Sequence, residues 1–351
     1  MFSDLNIVFC DKKHTFCAMQ ISMSIIRDII FGAVRYGADL GELCKNVNLS
    51  VNELNQTELS LDLEQGHQVW EQALKLTQDQ HLGLHIGEQT NPSIVGLVGH
   101  LMQTSPNLHT AFEHLQKFSK IVTDVFFYEI QRLDKECKII YTPISFWQIN
   151  YPKTAIQAVE QAMSGSLHVC KLLTGKSLCP IRINFTQKCP KNTNEYQRVL
   201  KGNLFFEQKE NSLIFKVSDF NLPVIGYNQF LMQTFEQLLQ ELLQKIQNQE
   251  RTENKVKKTI LQHFKQQIPQ LDQISAHLHM TNRSLQRKLK EEGTNFQEIS
   301  EEIRKVLAID LIRYKQFNIN EIAYMLGYTE ASTFRRAFKR WTGKAPKSYV
   351  F

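Results

Sequence analysis

Nowhere in these 351 residues does a CxxC pair occur, although seven cysteines are present: Cys10, Cys17, Cys44, Cys137, Cys170, Cys179 and Cys189. An odd number without paired spacing excludes a zinc ribbon or a full disulfide framework and points to reduced thiols. Long apolar runs are missing as well. The longest, such as Ile29–Val34, are too short to span a bilayer. The first residues carry Asp4, Asp11, Lys12 and Lys13 without an apolar core, so no secretory signal is expected. GxSxG, P-loop, GxGxxG and HExxH patterns are all absent, which removes the common local signatures of hydrolases, NTPases, dinucleotide enzymes and zincins. No cofactor and no metal are expected. His81 and His85 stand four apart with Glu88 beyond, but Gly83 and Gly87 interrupt the helix that such a zinc pair needs.

What is present is ordinary in bulk and uneven in detail. Hydrophobic residues make up 42% and charged residues 22%, as in soluble globular proteins. The net charge of +6 is confined to one end. Residues 251–351 hold 19 Lys+Arg against 10 Asp+Glu, whereas residues 1–250 are slightly acidic. A basic module on an acidic body suits a polyanionic partner, although a basic solvated face gives the same count.

Periodicity divides the chain into an α+β part and an all-α part. Residues 1–24 read as a loose leader. Helical spacing follows over Ile25–Ala38, Leu40–Cys44, Ser50–Glu53, Leu63–Gln78 and Asn107–Ile121. Asp124–Gln131, Cys137–Thr142, Ile181–Phe185 and Leu213–Val217 read as strands, with a helix over Thr154–Leu173 between them. Residues 25–225 therefore suit a domain of the α+β class. Its aromatics Phe126, Phe127, Tyr128, Phe146, Trp147 and Tyr151 line a pocket or simply fill the core. Residues 226–251 hold a Gln-rich helix, Phe230–Gln249. Its leucine seam packs on its own domain or pairs with a second copy.

Residues 252–351 carry a pattern that occurs twice. A helix over Thr252–Gln267 stops before Pro269. A short helix after Leu271 has Ile274, Ala276 and Leu278 as its inward residues, with the small Ala276 at the close approach. Thr281 caps a second helix. There Leu285 and Leu289 mark the buried face, and Asn282, Arg283, Gln286, Arg287 and Lys290 fall outside it. After a long helical spacer, Asn295–Arg313, the pattern returns. Ile319–Gly327 is a short helix and Thr329 a candidate cap. The helix Glu330–Trp341 buries Ala331, Phe334, Phe338 and Trp341 and exposes Ser332, Arg335, Arg336, Lys339 and Arg340. Each pair is a helix-turn-helix whose second helix is suited to the major groove, with Arg reading guanine and Asn or Gln reading adenine.

The segment Ile322–Pro346, with Gly327, Ser332, Phe334, Phe338, Lys339, Gly343 and Pro346 at characteristic spacing, resembles the AraC/XylS family of bacterial transcription regulators. So do Ile274–Leu278 with Thr281–Leu289, Gly293–Phe296 and Arg304–Ala308. Tyr328 stands where Phe is commoner. Leu59–Leu63, Leu82–Glu88, Gly96–His100 and Ser105–Leu108 resemble the arabinose-binding-type sensor domain of one branch. That resemblance implies a cytoplasmic, effector-responsive regulator, acting as an activator through RNA polymerase or as a repressor. It binds double-stranded DNA, takes a small-molecule effector, forms a homodimer and stays off membranes. The alternative is an enzyme of DNA-repair methyltransferase type fused to a DNA-targeting module, for which Cys170, Cys179 and Cys189 are weak candidates.

Overall fold

The computed structural model describes residues 19–349 except 57–58, 265–266 and 314–316. Their contacts form two compact units. One is Gln20–Pro143 with Tyr151–Asn248; the other gathers Gln249 onward with Met19 and the short segment Ile144–Asn150.

The first unit opens on strand β1 (Gln20–Ser22), antiparallel to β2 (Ser60–Asp62), with Gln20 opposite Asp62. Helix α1 (Met23–Arg35) follows at once. The leader expected through residue 24 is thus ordered from Met19, which is fully buried; residues 1–18 lie outside the described residues. A three-residue strand is too short for alternation to reveal it.

Helices α2 (Leu40–Asn46) and α3 (Leu63–Thr77) come next. Asp62 caps α3, accepting from the Gln65 amide at 2.9 Å while the Gln65 side chain accepts from the Asp62 amide. The expected helix at Ser50–Glu53 is instead a turn followed by a 3-10 turn, Glu53–Asn55, with Ser50 accepting from the Glu53 amide. Helices α4 (Leu82–Gly87), α5 (Leu97–Gln103) and α6 (Leu108–Val122) complete this half.

The sheet has five strands in the order β3-β4-β7-β5-β6. They are β3 (Phe126–Arg132), β4 (Glu136–Pro143), β5 (Arg182–Asn184), β6 (Leu204–Phe205) and β7 (Asn211–Lys216). All neighbours are antiparallel except β5 and β6. In the β3–β4 hairpin Tyr128 stands opposite Tyr141.

Within the second unit α7 (Ser145–Asn150) buries Phe146 and Trp147. In the first unit, Pro152 starts the long helix α8 (Pro152–Thr174), and Gly175, at φ +71°, ends it. Against α8 lies α4, so close that a Cβ on Gly83 would sit 2.2 Å from the Gln157 carbonyl oxygen and one on Gly87 1.8 Å from Ser164 Oγ. Beyond α8 come α9 (Asn194–Leu200), α10 (Val217–Phe220) and α11 (Gln229–Gln249). Helix α11 touches its own unit: Lys117 pairs with Glu236 at 2.7 Å and Leu239 is fully buried.

A polar seam runs through this unit. His85 bonds Asp79 through Nδ1 at 2.5 Å and Glu195 through Nε2 at 2.7 Å, so neither ring nitrogen is open to a metal. Deeper in, Glu160 is 1% exposed and accepts from the Tyr196 hydroxyl and the Gln187 amide. Burial pushes its carboxyl up to about 7 against those two hydrogen bonds.

The second unit's remaining elements are helical: α12 (Thr252–His263), α13 (Leu271–His277), α14 (Asn282–Glu291), α15 (Phe296–Arg313), α16 (Ile319–Met325) and α17 (Ala331–Thr342). Helix α12 ends four residues before Gln267, because Phe264 turns extended and buries its ring.

Candidate nucleic-acid interface

Two helix pairs, α13 with α14 and α16 with α17, repeat one design. In each, the first helix starts from a reciprocal cap, Gln270 with Gln273 and Asn318 with Glu321. Ile274 and Ile322 are fully buried at matching places. The residue after each, Ser275 or Ala323, is the small one at the helix contact. Ala276, expected there, is exposed. The expected set 274, 276, 278 has a spacing of two, and on a helix position 276 lies about 200° from 274.

Thr281 caps α14, accepting from the Ser284 amide at 3.1 Å. Leu285 and Leu289 are fully buried, and Asn282, Arg283, Gln286, Arg287 and Lys290 are exposed. The second pair turns at Gly327, whose φ of +81° is left-handed and suits glycine. The residue capping α17 is Glu330, with no side-chain capping bond, rather than Thr329. Phe334 and Phe338 are fully buried and Trp341 is half-buried, while Ser332, Arg335, Arg336, Lys339 and Arg340 are exposed.

These ten exposed side chains fall into two groups. Arg283, Gln286, Lys290, Arg335 and Lys339 have no hydrogen-bond or ion-pair partner among the described residues and are free for a ligand. The other five are held. Asn282 Oδ1 accepts from the Ser275 hydroxyl. Arg287 lies 3.7 Å from Glu291. Ser332 donates to Glu330 at 2.9 Å and Arg336 to Thr333 at 3.4 Å. Arg340 pairs with Glu301 on the spacer α15. That carboxylate also accepts from Trp341 Nε1 at 2.9 Å, and the two bonds, Trp341 first, hold its pKa below the usual range.

Three fixing residues were not read from the sequence as such. Glu301 ties α17 to the spacer. Arg304 Nε donates to the Leu326 carbonyl at 3.0 Å, satisfying the end of α16. Glu292, at the end of α14, accepts from the Thr252 and Glu253 amides at 2.7 and 2.9 Å and so caps α12. A single carboxylate thereby joins two helices. Such long-range caps leave no local spacing signal.

Elsewhere, Cys170 is buried with its thiol pushed up by desolvation, whereas Cys179 and Cys189 are exposed. The aromatics Phe126, Phe146, Trp147 and Tyr151 are core, and Phe127 and Tyr128 are half-buried.

The arabinose-binding domain of AraC transcription regulators matches residues 37–224, and a helix-turn-helix domain matches 274–350. Over 325 residues, 93% of this chain and 91% of the relative, the sequence is 27% identical to the ornithine utilization regulator of Pseudomonas aeruginosa. VqsM, a helix-turn-helix transcriptional regulator of the same organism, is 35% identical over 83 residues, 24% of this chain and 26% of that protein. Among solved structures, the transcriptional regulator CdpR from P. aeruginosa covers 88% of this chain and 95% of its own, at 18% identity and a TM-score of 0.43.

Proposed function

This chain belongs to the AraC family of transcription regulators, and from that membership we propose how it works on DNA. Helices α14 and α17 enter two successive major-groove segments about one helical turn, roughly 10 bp, apart. Arg283, Gln286 and Arg336 read base edges, together with Asn282 and Ser332. Arg287, Lys290, Arg335, Lys339 and Arg340 hold phosphates. One observation carries this reading: on both helices the apolar stripe is buried and the amide and basic side chains all face outward.

The first unit senses a small-molecule effector and shifts the population between DNA-competent and incompetent states. Helix α11 pairs with a second copy; its Phe230 is 74% exposed and Leu231, Leu238 and Ile246 are each 40% exposed. The dimer activates transcription in the cytoplasm through contact with RNA polymerase and has no catalytic activity of its own. No helix among the described residues is long and apolar enough to cross a membrane.

A footprint of the purified full-length protein on DNA upstream of its own and neighbouring genes, at fixed salt, tests the reading. Two protected major-groove segments about one turn apart are expected. Salt-labile protection without sequence preference, unchanged by any metabolite, overturns it.

A further inference from the structure

A cavity of about 760 Å³ lies entirely within the α+β unit. Its volume falls in the range of small-molecule sites, roughly 300–1,000 Å³. One wall is the outer face of α1, bearing Ser24, Arg27, Asp28 and Phe31. The 3-10 turn Pro92–Val95, the start of α5 and the end of α6 form the rest. None of the aromatics expected at a pocket from the sequence lies here.

The lining is mixed: Ser22, Ser24, Asn91, Ser93 and His100 contribute polar groups, and charge is concentrated at one place. Ile94, Leu97, Ile121 and Leu242 form an apolar wall with Phe31. Beside it stand the two charged side chains of the cavity, adjacent in sequence and opposite in sign. Arg27 makes no hydrogen bond or ion pair among the described residues. Asp28 is engaged through one oxygen only: its Oδ2 accepts from Thr90 Oγ1 at 3.1 Å and from Gln161 Nε2 at 2.9 Å. Its Oδ1 has no hydrogen-bond donor among the described residues. Among the described residues the half-buried guanidinium is therefore unpaired, and the half-buried carboxylate, held on one oxygen and near the Arg35 charge, keeps its other oxygen without a donor; the two do not pair with each other. An anion alone answers Arg27 and is repelled by Asp28; a cation alone does the reverse. A molecule with both charges close together answers both, and its remainder meets the apolar wall.

We propose that this cavity binds a free α-amino acid, its carboxylate on Arg27, its ammonium on Asp28 Oδ1 and its side chain against Phe31, Leu97 and Leu242. The site rests on the reading that the first unit senses a small molecule. It also gives that reading a route. Through Thr90 and Gln161, Asp28 joins α1 to the segment after α4 and to α8, so a ligand on Asp28 acts directly on a bond that holds three elements together.

The probes are the twenty common L-α-amino acids and L-ornithine, tested on the full-length protein at millimolar concentration. Thermal unfolding comes first, then calorimetric titration of those that raise Tm. At least one is expected to bind. Its deaminated and its decarboxylated analogues should each bind about tenfold or more weakly, because either leaves a half-buried charge unanswered. Arg27→Met and Asp28→Asn should weaken it by at least that factor. Arg27 has no partner to lose among the described residues, so Arg27→Met is expected to keep the unliganded Tm and remains informative if Asp28→Asn does not fold. The proposal is overturned if none of the probes binds, or if one binds both variants as tightly as the parent. Either result leaves the sensing reading intact when some other metabolite alters the footprint; sensing itself fails only when none does.

Discussion

Replacing Glu292 by alanine should loosen the start of α12 by about 1.5–2 kcal/mol. Its carboxylate accepts from the Thr252 and Glu253 amides at 2.7 and 2.9 Å, two donors that have no partner within the helix. Losing a capping side chain costs about 1 kcal/mol, and losing a negative charge at a helix N-terminus costs a further 0.3–1 or so. The side chain is 22% exposed, so solvent recovers only part of this. Hydrogen exchange of the Thr252–Val256 amides in the full chain reads the change locally, without requiring two-state unfolding of two units. About tenfold faster exchange is expected at neutral pH. The pH dependence is a second check. Burial raises the Glu292 pKa, but the backbone bonds from Glu253 and Thr252 and the Arg251 charge outweigh it, so the folded value lies below the usual one. A depressed carboxyl contributes its stability above the unfolded value, about 4.3, and loses it as pH falls through the folded value. Parent and variant should therefore differ fully at pH 7 and converge in acid. Equal exchange at pH 7, or a difference that persists in acid, would refute the capping role.

Gly327→Ala places a side chain where φ is +81° but where a Cβ meets nothing within 4 Å. The cost is backbone strain alone, about 1–2 kcal/mol, measurable by urea unfolding. Arg283→Ala and Arg336→Ala should each cost about 1–3 kcal/mol of DNA affinity and change sequence preference; a loss equal on all sequences assigns them to phosphate. Lys290→Ala should leave preference unchanged and flatten the slope of log affinity against log salt by about 0.9. Glu160→Gln tests the buried carboxyl. Its folded pKa of about 7 against 4.5 in the free group makes the folded state hold the proton more tightly, so stability falls as pH rises across that window. The variant should lose that slope in the urea midpoint, and an unchanged slope would refute it.

The longer helices and both helix-turn-helix units were legible because their apolar residues repeat at helical spacing, whereas the short helices α4, α5, α7, α9 and α10 span too few turns to show it. Thr281, Gly327 and the Leu285–Leu289 stripe are local signals, and the structure places them as read. Strands β1, β2 and β6 were not legible, since two or three residues establish no alternation. The misplaced Ala276 came from counting by twos on a helix. Glu292, Glu301 and Arg304 act 22 to 41 residues away along the chain, and no spacing rule reaches that far. The cavity at α1 went unseen for a related reason. Its walls come from separate helices, and an unpaired Arg27 is recognisable only once the neighbours that fail to pair with it are in place.

The seam between α4 and α8 has a consequence for how this protein can change over generations. Even one added methyl at Gly83 or Gly87 would strike backbone or a buried hydroxyl, so drift at these two places is closed off unless both helices move apart together. No such barrier stands at Arg283 or Gln286, which are exposed and have no partner among the described residues. If Arg283 and Gln286 read bases as proposed, single substitutions there change the target sequence without touching the core, whereas any side chain at the seam glycines must displace backbone or a buried hydroxyl.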